Sequence, residues 1–337
     1  MQQHWIQRMV YWILLAMLAS LLCISTARAA NSIDSNGTPQ TVAVGFYPMI
    51  LHSLNQQNST FYADLYVWMR WKGDPKRDPT ATTEFVNNVE KWGFSNNSTY
   101  ETPKKLLNGE YLKELHVQGQ FFQPLLLDNY PLDKHELSIV LEDSTYPINE
   151  LLYKEDIGQS GLDARVNLAG WKITGWTVTT EPHAYASKFG ELSTTPPPAY
   201  SSIRYTVNIE RPLNFFVWKL LLPLLIVLLL GCSALFIHPT YTEVRLAAPA
   251  TALLSLVFLQ QAYSASLPEV GYLVLLDKVY VLAYILVVGL MLSTIITSSW
   301  IRTGDEVQIK RTIQWDKLIV ICMLLFFVVG TSVLLIS

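Results

Sequence analysis

The sequence predicts a chain in two parts, an extracellular antiparallel β-sandwich over residues 30–211 followed by a four-helix transmembrane bundle over residues 212–337. Three observations carry that prediction: a leader-like N-terminus, a long middle region of period-two apolar alternation, and four nearly uncharged apolar stretches in the last third. The chain of 337 residues is 50% hydrophobic and 15% charged with a formal net charge of −3, an average that hides a polar half and a membrane half.

At the N-terminus Arg8 closes a short polar start, the apolar run Met9–Ile24 follows, and Ala27-Arg28-Ala29 supplies a small-x-small cleavage pattern. The run is short for a membrane span and a polar segment follows it, so residues 1–29 read as a signal peptide in preference to a fifth anchor. Its removal leaves Cys232 and Cys322, both inside predicted spans, so the exported domain is expected to hold no disulfide.

The middle region alternates. Ile203, Tyr205, Val207 and Ile209 share one face of a strand, with Ser202, Arg204, Thr206 and Asn208 on the other. Leu137, Ile139 and Leu141 repeat the pattern, as do Leu65, Val67, Met69 and Trp71. Period two places such residues on half-buried strands. Breaks rich in turn formers separate them at Lys72-Gly73-Asp74-Pro75, Ser95–Ser98, Asn129-Tyr130-Pro131 and Thr194–Pro198. Short strands at this spacing suit an antiparallel sandwich.

The apolar stretches Leu220–Ile237, Leu246–Pro268, Val279–Ile301 and Leu318–Ser337 predict helices over about 215–237, 243–266, 272–300 and 315–336. A helix rises about 1.5 Å per residue, so roughly 20 residues cross a hydrocarbon core of about 30 Å. Glu210-Arg211-Pro212 leads into the first span with almost no linker, which seats the sandwich on the membrane surface. Arg245, Arg302, Lys310, Arg311 and Lys317 flank the links after spans one and three, whereas Ser264–Gly271 carries no Lys or Arg. The positive-inside rule therefore puts the basic links in the cytoplasm and the sandwich and C-terminus outside the cell (inner) membrane, the orientation that export also requires.

The second stretch carries Thr251, Ser255, Gln260, Gln261, Ser264 and Ser266. Lipid gives such residues nothing, whereas a water-filled path hydrates them. Steps of four and three from Glu243 pass through Ala247, Thr251, Leu254, Phe258, Gln261 and Ala265 and keep to one helix face. That stripe is acidic at its inner end, then small and hydroxylic, then apolar, then polar. Arg245, two residues beyond Glu243, falls about 200° away at 100° per residue and is expected to face neighbouring helices or the interface.

Several short motifs, in order, resemble the pentameric ligand-gated ion channels of prokaryotes, the bacterial relatives of the Cys-loop neurotransmitter receptors. They are Thr41-Val42-Ala43-Val44-Gly45, Trp71-Lys72, Tyr130-Pro131-Leu132-Asp133, Gly170-Trp171, Glu210-Arg211-Pro212, Pro223 and Leu267-Pro268. The cysteine pair that names the animal receptors is absent, and only about a dozen residues separate spans three and four.

The resemblance implies a homopentamer that passes ions along span two when an extracellular stimulus acts on the sandwich. Glu243 would form a carboxylate ring at the cytoplasmic mouth that attracts cations, the alternative being a residue that merely starts the helix at its positive dipole end. Leu254 and Phe258 would form the closed gate by dewetting a narrow channel, the alternative being helix packing. Pro249 should free a backbone carbonyl and permit a bend. Asp133 and Arg211 would couple the two domains through an ion pair, with Leu267 and Pro268 as the outer link that they push. The turn Asn55-Gln56-Gln57, between the first two predicted strands, lacks the acid that many relatives carry there.

Tyr66 from a facing subunit, with Tyr146, Tyr185, Phe189 and Tyr200 around the loop Ala186–Ala199, would form an aromatic cage, and Glu142 would hold a ligand amine. Ser144 stands where many relatives carry an aromatic. Protons acting on His116, His135 or His183 are the rival stimulus. Asp277-Lys278 reads as an interfacial ion pair.

The expected partners are further copies of the chain, membrane lipid, permeant ions and a small extracellular ligand or protons. A membrane-bound sensory protein that does not conduct is the alternative. No basic tract indicates nucleic acid, and no metal-ligand spacing, nucleophile motif or phosphate loop indicates an enzyme, a metal or a cofactor. A transporter would call for inverted repeats and broken helices.

Overall fold

The computed structural model describes residues 38–89, 92–190, 197–300 and 306–336. The leader, Arg302, Ser337 and the middle of the Ala186–Ala199 loop lie outside the described residues.

The strands are β1 (Gln40–Asn55), β2 (Thr60–Trp71), β3 (Thr83–Phe85), β4 (Ser95–Ser98), β5 (Lys104–Lys105), β6 (Tyr111–Phe122), β7 (Lys134–Pro147), β8 (Leu151–Glu155), β9 (Lys172–Ala184) and β10 (Ala199–Glu210). One sheet runs β4-β6-β2-β1-β8 with β5 added to β6, and the other runs β3-β7-β10-β9. The apolar residues of the three alternating runs face each other across the sandwich and are all buried, from Leu65 and Ile203 to Trp71.

Two features of the sandwich depart from the sequence reading. β1 and β8 pair in parallel, so the sandwich is antiparallel elsewhere but not at this edge. Ser95–Ser98 is not a turn but an edge strand, paired with Gln118–Leu115 of β6. A short polar strand needs only backbone partners at an edge, and its side chains give no period-two signal.

Gly45 of the first motif has a packing reason. It lies opposite Trp68 on β2, and a Cβ there would come within 2.2 Å of the indole ring. The indole N–H instead reaches Asp156 at 3.0 Å.

Four helices long and apolar enough to cross a membrane follow: α1 (Leu213–Phe236), α2 (Thr242–Ser264), α3 (Leu275–Ser299) and α4 (Glu306–Ile336). A π-helical turn at Phe216–Leu221 immediately precedes the regular turns that contain Pro223. Proline lacks the N–H that would continue the i→i−4 ladder, and a widened turn absorbs the break. Pro249 sits inside α2 with its ring buried.

α4 begins at Glu306 and not near residue 315 as the hydropathy suggested, so the link after α3 is largely helical. Its first turns are polar, yet Thr312 and Asp316, one turn apart, are both buried against the bundle. The expected ion pair of Asp277 with Lys278 does not form. Asp277 instead accepts from the Val274 N–H at 3.1 Å, capping α3, and from the Tyr263 hydroxyl of α2. Adjacent helix residues point apart, so a neighbour in sequence is a poor partner.

Candidate functional site

α2 has two unlike faces. Arg245, Pro249, Ala252, Leu256 and Tyr263 are buried against the other helices. Glu243, Ala247, Thr251, Leu254, Phe258, Gln261 and Ala265 are all exposed in the single chain, with Leu254 at 57% and Phe258 at 64%. Thr251 donates to the Ala247 carbonyl at 2.8 Å, and Ser255 donates to that of Thr251 at 2.9 Å, so both hydroxyls are satisfied within the helix. Gln260, which lies beside the stripe, accepts from the Tyr284 hydroxyl of α3 at 2.6 Å.

Arg245 turns inward, fully buried. Its guanidinium meets Asp316 of α4 at 2.6 Å and donates to the Ala234 carbonyl at 3.2 Å and the Thr297 hydroxyl at 3.4 Å. The sequence reading gave its direction but missed Asp316, whose signal was a lone acid just before the last apolar run.

Where sandwich meets bundle, Asp133 and Arg211 form a two-pronged ion pair at 2.7 and 3.0 Å. His135 bonds the second Asp133 oxygen at 2.6 Å. Residues 133 and 135 flank the start of β7 at a spacing of two, so their shared face was open to a sequence argument. The Arg211 guanidinium also lies 4.2 Å from the Trp171 ring centre, 4.9 Å from Tyr130 and 5.3 Å from Phe215. Burial pushes the Asp133 carboxyl up, but the hydrogen bonds from His135 and Arg211 and the guanidinium charge outweigh it and hold the pKa down to about 2.

The loop before β7 caps α3. The Leu275 N–H donates to the Asp128 carbonyl at 2.8 Å and the Leu276 N–H donates to that of Tyr130 at 3.1 Å, satisfying helix-start donors that have no partner within the helix. Leu127 and Tyr130 belong to the apolar core of the bundle together with Leu267, and Pro268 beside it is half-buried. The neutral β1–β2 turn reaches α2 directly, as Gln57 donates to the Ala265 carbonyl at 3.0 Å.

In the upper sandwich Glu84, Glu142, Asp143, Ser144, Tyr185, Phe189 and Tyr200 line a cavity of about 280 Å³. Glu142 is buried; it accepts from the Tyr185 hydroxyl at 2.7 Å, and His183 lies 2.5 Å from its other oxygen. The bond to Glu142 pushes the Tyr185 phenol up to about 12, so it stays a donor at neutral pH. Phe189 and Tyr200 stand edge-on to Tyr185 at 5.0 and 6.1 Å.

Glu84 is exposed and stands opposite Glu142 across the β3–β7 pairing, a neighbour that only the strand register reveals. Tyr146 does not line the cavity: Arg77 covers its ring at 4.3 Å and it packs on the sandwich core. Tyr66 stacks on His116 at 4.7 Å on the outer face of the other sheet, away from its own chain's cavity.

No family model matches the chain. It is 24% identical over 168 residues to a gamma-aminobutyric acid receptor subunit beta of Lymnaea stagnalis, covering 49% of this chain and 32% of that subunit. To the human gamma-aminobutyric acid receptor subunit gamma-3 it is 21% identical over 268 residues, 74% of this chain and 55% of the other. To the proton-gated ion channel of Gloeobacter violaceus it is 22% identical over 264 residues, 73% of this chain and 70% of that one. The chain thus spans about a third of the molluscan subunit's length and about half of the human one's. With a sandwich leading into four spans, this is a multi-pass membrane protein whose N-terminal domain is extracellular. In sequence and in its order of sandwich and spans, the chain resembles the pentameric ligand-gated channels, the Cys-loop receptors and their bacterial relatives.

Proposed function

We propose that the chain assembles as a homopentamer and forms a ligand-gated, cation-selective ion channel in the cell (inner) membrane, with a cleaved leader at residues 1–29 and an extracytoplasmic C-terminus. The observation that carries this reading is the exposed stripe of α2 in a helix whose opposite face is buried. A face that is acidic, then hydroxylic, then apolar suits a water-lined path and gains nothing from lipid. Glu243 is exposed at its inner end while the nearest cation, Arg245, is neutralised inside the bundle. Leu254 and Phe258 form the closed gate.

The stimulus acts at the cavity beside Glu142. Tyr185, Phe189 and Tyr200 surround it, and Glu84 stands in its wall with no ion-pair partner among the described residues, an arrangement suited to a small organic amine. A specific observation favours a second reading: His183 lies against Glu142, a couple that protons would perturb, and one relative is named a proton-gated channel.

Reconstitution in planar bilayers tests both. Amines are applied at constant pH, then external pH is lowered with no amine present. A current elicited by amine and weakened by Glu84→Gln supports the amine reading; opening by acid alone replaces it with the proton reading. Assembled protein that passes no current under either stimulus rejects the channel in favour of a non-conducting sensor. In a salt gradient Glu243→Gln should lower the cation-to-anion permeability ratio about tenfold, the effect of about 1.4 kcal/mol on ion access.

A further inference from the structure

We infer that Asp316 on α4 is a positioning residue for ion selectivity: it holds the Arg245 guanidinium inside the bundle, so that Glu243 alone sets the charge at the inner pore mouth. This rests on the reading of α2 as the pore helix.

The geometry is specific. Arg245 and Asp316 side chains are 0% and 1% exposed, and they meet at 2.6 Å across two helices. Thr297 and Ser298 of α3 and the Ala234 carbonyl at the end of α1 supply the remaining acceptors around the guanidinium, so all four helices converge on this cation. Among the described residues Asp316 is its one carboxylate partner. The second Asp316 oxygen and the Thr312 hydroxyl, one turn apart on α4, are buried with no protein partner. The acid is thus committed to Arg245 in a site closed to bulk solvent.

Removing the acid leaves a buried, permanently charged guanidinium without a counter-charge, and its long stem lets it move to water. At that level the water-facing surface of α2 is the one bearing Glu243, which is exposed two residues earlier. A guanidinium arriving there neutralises the carboxylate ring that attracts cations. α4 has the smallest buried share of the four helices in the single chain, so this contact ties its least packed helix to the charge of the pore mouth.

The test compares the reconstituted wild-type channel with Asp316→Asn and with Arg245→Gln/Asp316→Asn in a salt gradient. Asp316→Asn should lower the cation-to-anion permeability ratio about tenfold, an altered ion-access barrier of about 1.4 kcal/mol, and the double variant should restore it. A merely structural Asp316 would reduce expression and leave the ratio unchanged, which overturns the inference. If Asp316→Asn does not assemble alone, it is co-expressed with excess wild-type chain and the mixed channels are read in the same way.

A second arm does not depend on conduction. Arg245→Lys, with and without Asp316→Asn, is exposed in liposomes to a water-soluble amine-acylating reagent and position 245 is analysed by mass spectrometry. Protection with Asp316 present and labelling with Asp316→Asn support the inference; protection in both, or labelling in both, overturns it. Wild-type protein that passes no current rejects the channel reading, while the labelling arm still decides whether Asp316 sequesters the cation.

Discussion

Asp133 spends both carboxylate oxygens on cations or donors, one on Arg211 and the other shared between Arg211 and His135. Charge reversal at Asp133 or Arg211 should each impair gating, and the paired reversal should recover part of the loss; a double-mutant cycle on activation measures that coupling, and purely additive losses would show that the pair does not act as a unit. Asp133→Asn should cost about 3–5 kcal/mol, towards the lower end because three aromatic rings still hold the guanidinium. The sign of its pH dependence is fixed. The carboxyl is held down from 3.8 to about 2, so its stabilisation is complete above pH 3.8 and is lost as pH falls through 2. Melting curves of wild type and Asp133→Asn should therefore differ by a constant gap down to about pH 4 and converge below it. A gap that closes between pH 7 and pH 5 would contradict that geometry, and would make this pair a candidate proton sensor.

At the scale of elements, α2 was the most legible part of the chain. Its stripe follows from steps of four and three, and its exposed and buried faces fall where those steps put them. The strands with Ile203–Ile209 and Leu65–Trp71 were equally legible because a buried face imposes period two. What stayed hidden depends on register between elements. Glu84 meets Glu142 and Arg245 meets Asp316 only after strands and helices are docked. The polar first turns of α4 were missed because hydropathy averages over faces. If Leu254 forms the proposed gate, Leu254→Ala should shift activation to about tenfold lower stimulus or give spontaneous openings. An unchanged dose response would make Leu254 packing and Phe258 the better gate. The contact of α3 with α4 offers a separate test: a Cβ at Gly330 would come within 2.8 Å of Leu282, so Gly330→Val should lower stability by about 1–3 kcal/mol in a melting assay while selectivity is retained.

Over the whole molecule, β10 links the cavity to the membrane. Tyr200 lines the cavity near its start, Glu210 ends it, and Arg211 sits in the ion pair with Asp133 before α1 begins at Leu213. Twelve residues at about 3.3 Å each span roughly 40 Å without a loop. From Asp133 the route continues through the loop that caps α3, to Asp277 and to Tyr263 on α2, while Gln57 touches the same end of α2 from the other sheet. All of it converges on the helix with the exposed stripe, so the account stands or falls on that stripe facing the ion path. The direct measurement is cysteine accessibility along α2 in a Cys322→Ser background, with a charged thiol reagent applied to the open channel. The account predicts modification with block at positions 247, 251, 254, 258 and 261 and protection at positions 252, 256 and 263. Modification at the latter set, or equal labelling of both, would contradict it.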